Sequence, residues 1–152
     1  MSWLNYEAIQ RKVKLLPEEE VAVSVAEVLM CEGFLLQSIS SNYKHQNHPR
    51  LNDLCQYRHP AGFDLIFIDE SWNKMGVEVK PTLTMNSFQS ALGQSIAYLH
   101  RDTKIKSAII FARRFQNERT LKIVREIMGK IHEPIMIRTL QTIGQNLIKE
   151  IW

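Results

Sequence analysis

Residues 62–98 read GFDLIFIDESWNKMGVEVKPTLTMNSFQSALGQSIAY, and this stretch predicts strand, polar turn, strand, loop and helix in that order. Residues 62–69 are rich in Phe and Ile, which favour a pleated, half-buried surface. Residues 75–80 (MGVEVK) give a second strand, with Glu70 to Lys74 as the turn between them. Alternate side chains of a strand share a face. Glu78 and Lys80 therefore point one way, and Val77 and Val79 point the other way, into the core. Directly opposite residues of an antiparallel pair also share a face. An odd-numbered turn puts Asp64 opposite Glu78 or Lys80; an even-numbered turn without a bulge puts it on the wrong side.

The chemistry open to this arrangement is specific. Two carboxylates on one face supply hard oxygen ligands for Mg²⁺, which keeps several of its waters. Such a metal polarises a phosphoryl oxygen and lowers the pKa of bound water. A lysine beside it orients the attacking water or neutralises charge building on the phosphate. The competing reading takes Glu78 and Lys80 as an ordinary solvent-facing strand surface, where charged residues often alternate.

Asp64, a hairpin, Glu78-Val79-Lys80 and a following helix that carries Gln94 together resemble the PD-(D/E)XK nuclease superfamily. The run from Phe88 to Leu99 is also similar to the helix that follows the lysine strand in several of its subfamilies, including element-excision controlling factors; resolvases share the fold. The resemblance covers roughly residues 17–140. It implies α/β architecture: a restriction-endonuclease-like core, with a mixed β-sheet containing an antiparallel hairpin and flanked by helices. It further implies Mg²⁺, with Mn²⁺ as substitute, held by Asp64, Glu78 and the Val79 carbonyl, with Lys80 catalytic and Gln94 assisting. The implied activity is DNA hydrolysis leaving a 5′-phosphate. The proline that the superfamily places before its aspartate is replaced here by Phe63. The alternative is a non-cutting nuclease-fold protein that acts as a DNA-binding regulatory or assembly factor, because fold alone does not prove activity. A third reading is a structural module with no affinity for nucleic acid.

The remaining chain sets the frame. Its 152 residues suit a single domain with a full core, preceded by a helical extension over residues 1–16. A net charge of +3 permits a nucleic-acid partner without demanding one. No apolar run reaches membrane-span length, and the N-terminus lacks a signal-peptide layout. Two cysteines make no disulfide framework, so a reducing cytoplasmic home is expected. Cutting both strands of a duplex usually takes two sites, so a homodimer or higher homo-oligomer is expected.

Residues 3–15 predict a helix on the spacing of Trp3, Ile9 and Val13. Pro17 starts a second helix, with Glu18, Glu19 and Glu20 at its positive end and Gly33 closing it. Glu18 and Glu19 are read first as dipole partners and second as further metal ligands. After the strand Phe34 to Ser40, residues 41–61 form a long polar connection. Lys44, Arg50 and Arg58, interleaved with Tyr43 and Tyr57, suit contacts to a nucleic-acid backbone. A weaker reading makes His45, His48, Cys55 and His59 zinc ligands. Pro81 is expected to end the lysine strand. The helix behind it buries Phe88, Leu92, Ser95, Ile96 and Leu99, with Ser87, Ala91, Gln94 and Tyr98 on the flank and Gln89 as a fallback for Gln94. Lys106 to Ala112 predicts a buried central strand, ended by Arg113 and Arg114 as a phosphate-binding pair. A helix over Asn117 to Ile131, a strand over Ile135 to Thr139 and a helix over Thr142 to Ile151 complete the order.

Overall fold

The computed structural model describes residues 18–43 and 49–140. The helices expected over 3–15 and 142–151, and Lys44, His45 and His48, lie outside them. The described chain runs α1 (Glu18–Cys31), β1 (Leu35–Ser40), α2 (Pro49–Leu54), β2 (Arg58–His59), β3 (Leu65–Ile68), β4 (Lys74–Leu83), α3 (Met85–Arg101), β5 (Ile105–Phe115), α4 (Glu118–Met128) and β6 (Ile135–Thr139). The strands form one mixed six-stranded sheet in the order β2-β1-β3-β4-β5-β6. β3 runs antiparallel to both its neighbours, and the other pairings are parallel. The chain is therefore α/β, with helices flanking the sheet.

The local reasons are visible. Gly33 adopts φ 101° after α1, where Phe34 N–H reaches Leu29 O and Gly33 N–H reaches Met30 O, both at 3.1 Å. This is a Schellman stop, which glycine enters without a Cβ clash. Thr84 caps α3 in a reciprocal box with Ser87, and Asn117 caps α4 by accepting from Thr120 N–H, satisfying donors the first turn leaves orphaned. The β4–α3–β5 and β5–α4–β6 crossovers give the parallel half of the sheet.

One face of the sheet carries Leu65, Phe67, Met75, Val77, Val79, Ile109 and Phe111, buried against Val21, Val25, Val28 and Leu29 of α1. Glu32, just past α1, clamps Arg138 of β6 through two bonds of 2.7 Å, and the Arg138 guanidinium lies 4.9 Å over the Phe111 ring. The other face carries two separate apolar clusters. One is Leu83, Phe88, Ala91, Ile110, Ala112, Val124 and Ile137. The other is Phe63, Ile105 and Ala108, with Ile66, Tyr98 and Leu99 against them.

Three expectations need correcting. The connection over 41–61 is not wholly loop: it contains α2 and the edge strand β2, because Leu51 and Cys55 are buried and pull it against the core. β4 does not stop at Pro81 but continues to Leu83. Val79 N–H points toward β3, as its bond to Asp64 shows, and alternation points position 81 to the same side. The β3 ladder has already ended there at Leu65–Val77, so the missing donor of proline breaks no rung. Likewise β5 extends to Phe115, so Arg113 and Arg114 lie within the strand, paired beside β4, rather than beyond its end.

Candidate active site

The turn between β3 and β4 is the five residues Asp69 to Asn73, flanked by the Ile68–Lys74 pair. Asp69 holds it closed: its Oδ1 accepts from Ser71 N–H and Asn73 N–H, each at 2.9 Å. The odd count sets the parity that the sequence reading required. Leu65 pairs with Val77, and continuing one residue places Asp64 opposite Glu78.

Asp64 stands where β3 separates from β4. Its backbone carbonyl still accepts from Ser40 N–H of β1 at 2.8 Å. On the β4 side, the next rung would have joined Phe63 to Val79. Instead the Asp64 carboxylate Oδ2 accepts from Val79 N–H at 2.8 Å. The side chain of Asp64 thus substitutes for a strand and is fixed beside the peptide between Glu78 and Lys80. N–H and C=O of one strand residue project to the same edge, so the Val79 carbonyl faces the same opening.

Glu78 is only 4% exposed, which the solvent-facing reading of this strand does not accommodate. It lies beside Ile110 of β5, on the face occupied by the two apolar clusters. Along β4 it falls between Gly76, on which the Phe63 ring lies, and Leu83 of the neighbouring cluster. Along α3, Ser95 stands in the same relation, between Ala91 and Tyr98. Its buried hydroxyl has no hydrogen-bond partner among the protein atoms. Strand and helix both interrupt their apolar faces with a polar group. Burying a carboxylate in such a sheet is costly unless charge or hydrogen bonds compensate. Lys80 is half-buried two residues further along β4.

The sequence reading missed Tyr98 as a site residue. The buried positions of α3 are Phe88, Ala91 and Ser95, and the next step of that stripe is Tyr98. The stripe is therefore centred closer to Ala91 than expected; Leu92 and Ile96, expected at its centre, are only half-buried. The signal was present in the 3-4-3 spacing, but the bulk of Leu92 and Ile96 concealed it. Tyr98 sits edge-on to Phe63, with ring centroids 5.1 Å apart. Its phenol titrates above its ordinary range because burial disfavours phenolate, and because the Glu78 and, less strongly, Asp64 carboxylates repel it; Arg101 acts in the opposite sense. Tyr98 thus lies within electrostatic reach of both acids.

The other expected site residues fall differently. Gln94 is exposed on α3, one turn before Tyr98. Arg50 is paired with Glu20, and more loosely with Glu27 at 3.7 Å. Arg58 ties the β1–β2 connection together, donating to Tyr43 O at 3.0 Å, Cys55 O at 2.9 Å and Asn52. Arg113 donates to Thr82 Oγ1 at 3.2 Å, and Arg114 is exposed. Tyr43 is buried and Tyr57 exposed. Of the histidine–cysteine set, His59 has both ring nitrogens engaged, with Ser38 Oγ at 2.7 Å and Phe63 O at 2.6 Å, and Cys55 is buried with its thiol toward Gln37 O. Glu19 is half-buried on α1.

Among the described residues, no group of three or more His, Cys, Asp or Glu side chains could hold a metal, and no helix is long and apolar enough to cross a membrane. Zinc, which takes four nitrogen or sulfur ligands in structural sites, does not fit Asp64 and Glu78. A hard cation that binds through one or two carboxylates and keeps its waters is the class that suits Asp64 and Glu78. Compared with models of known families, with curated proteins and with solved structures, the chain finds no match.

Proposed function

We propose that this protein is a Mg²⁺-dependent endonuclease that hydrolyses DNA phosphodiester bonds at Asp64, Glu78 and Lys80, on a restriction-endonuclease-like core of the PD-(D/E)XK type. The observation that carries this reading is the placement of Asp64. Its carboxylate is fixed by Val79 N–H, opposite a buried Glu78, on the strand that also bears Lys80. The mixed sheet with its hairpin and the helix after the lysine strand add support.

Asp64, Glu78 and the Val79 carbonyl would hold the cation. When bound, it supplies Lewis-acid polarisation of a phosphoryl oxygen and a more acidic water. The residues of the chain account for the remainder. The Val79 N–H fixes the Asp64 oxygen that it touches. Glu78, confined between apolar clusters, is held in a water-poor setting where electrostatic interactions are strong. Lys80 orients the attacking water and offsets charge on the phosphorane-like transition state. Water oxygen bonds to phosphorus, the P–O3′ bond breaks, and the 3′-oxygen takes a proton, leaving a 5′-phosphate. Gln94, exposed on α3, would meet the incoming backbone from the solvent side.

Plasmid and branched DNA incubated with Mg²⁺ or EDTA, beside Lys80→Ala, test the activity. Cutting that needs Mg²⁺ and is lost in the variant is expected; equal cutting by Lys80→Ala ends the proposal. Calorimetric titration with Mn²⁺ supplies a readout independent of turnover, and Asp64→Asn should lose that binding. DNA binding without cleavage would favour a regulatory or assembly factor on the same scaffold.

A further inference from the structure

A cavity of about 490 Å³ reaches Phe63, the residue before Asp64, and is lined among others by His59, Ala61, Tyr98, Arg101 and Asp102. We propose that this cavity is a base pocket, which receives one unpaired nucleobase of the strand whose backbone lies at Asp64 and Glu78, so that the substrate class is DNA carrying an unpaired nucleotide next to the scissile phosphate. The inference rests on the nuclease reading above and specifies its substrate.

Position comes first. Phe63 forms one wall and immediately precedes Asp64 in the chain. Tyr98 forms another and feels the charges of Glu78 and Asp64. A nucleotide whose phosphate met Asp64 would carry its base toward the Phe63 wall. The volume is that of ordinary small-ligand pockets, about 300–1,000 Å³, and admits a base with part of its sugar.

The lining selects a flat neutral group over an anion. The Arg101 guanidinium lies 5.2 Å over the Tyr98 ring, so two planar stacking groups meet in the lining; bases stack on aromatic rings and on guanidinium planes alike. The charge of Arg101 is opposed by Asp102 next to it and by the negative end of α3, which terminates here. His59 adds no cation. Its ring is bonded on both sides, and burial holds its pKa below the ordinary value, with Arg58 acting in the same direction against the opposing Phe63 carbonyl. A phosphate finds no net positive charge in this cavity. A base does not need any. A paired base cannot enter a side cavity without leaving its stack, and the cost of extrusion is least for a base already unpaired.

The test uses the full chain, fluorescence anisotropy and EDTA, so that binding is read without turnover. Three labelled duplexes are compared: fully paired, with one unpaired adenine, and with an abasic residue at that bulge. About tenfold or tighter binding of the adenine bulge over both others is expected. Tyr98→Leu should bring the ratio near one, and Arg101→Gln, an exposed change that spares the fold, should reduce it severalfold. Equal binding of adenine and abasic bulges, or a ratio unchanged in both variants, overturns the pocket while leaving the nuclease reading in place. Absence of binding to all three duplexes overturns both.

Discussion

Gly76→Ala offers a sharp test of how the site is built. A Cβ at Gly76 would lie 2.2 to 2.4 Å from three ring atoms of Phe63. Relaxed carbon contacts lie at about 3.5–4.0 Å, so the ring would have to retreat by about 1.3 Å. It has little room: Phe63 is 1% exposed and held edge-on by Tyr98. Overpacking of this kind costs about 1–3 kcal/mol. Replacing glycine at an ordinary φ returns about 0.4–1 kcal/mol by restricting the unfolded chain. The net expectation is a loss of about 1–2 kcal/mol, or a Tm lower by about 2–8 °C for a chain of this size. Urea titration followed by circular dichroism reads it, with the slope m unchanged. The same substitution in a Phe63→Leu background should cost at least about 1 kcal/mol less, since the clash is gone, and that coupling identifies the contact. If Gly76→Ala is as stable as the parent, or costs the same in both backgrounds, Phe63 does not lie on this strand and the site geometry described here is wrong.

Thr84→Ala removes the hydroxyl that accepts from Ser87 N–H at 3.1 Å and should cost about 1 kcal/mol by the same urea titration. Arg138→Ala breaks the clamp on Glu32 and the contact over Phe111, for a loss of about 1–3 kcal/mol, read as a lower denaturant midpoint; a loss under about 0.5 kcal/mol would contradict the placement of the buried Arg138 against both partners. The lowered pKa of His59 means that the unfolded chain binds its proton first as pH falls. Stability at this residue is therefore full above the ordinary imidazole value of about 6.5 and declines below it. Midpoints at pH 5.0 and 7.5 should differ less in His59→Gln than in the parent. Lys80→Ala should leave the urea midpoint within about 0.5 kcal/mol of the parent, which separates its loss of cutting from misfolding.

The sequence by itself determined the hairpin and, through the side-chain period of two, the face that Glu78 and Lys80 share; the turn at Asp69 to Asn73 then put Asp64 opposite Glu78 rather than Lys80. The cap at Gly33 was equally legible, because it depends on a single residue and its own backbone. Tertiary structure decided what depends on where neighbours stop. Pro81 stays in β4 only because β3 has ended beside it, and Glu78 is buried only because α3 lies over it. The stripe on α3 is centred on Ala91 and Ser95, the positions its packing buries, and the same stripe carries Tyr98. Arg50 and Arg58 read as free cations in sequence, yet Glu20 and the loop carbonyls engage them. Periodicity is a local property of one element, whereas burial and pairing belong to the contact between two.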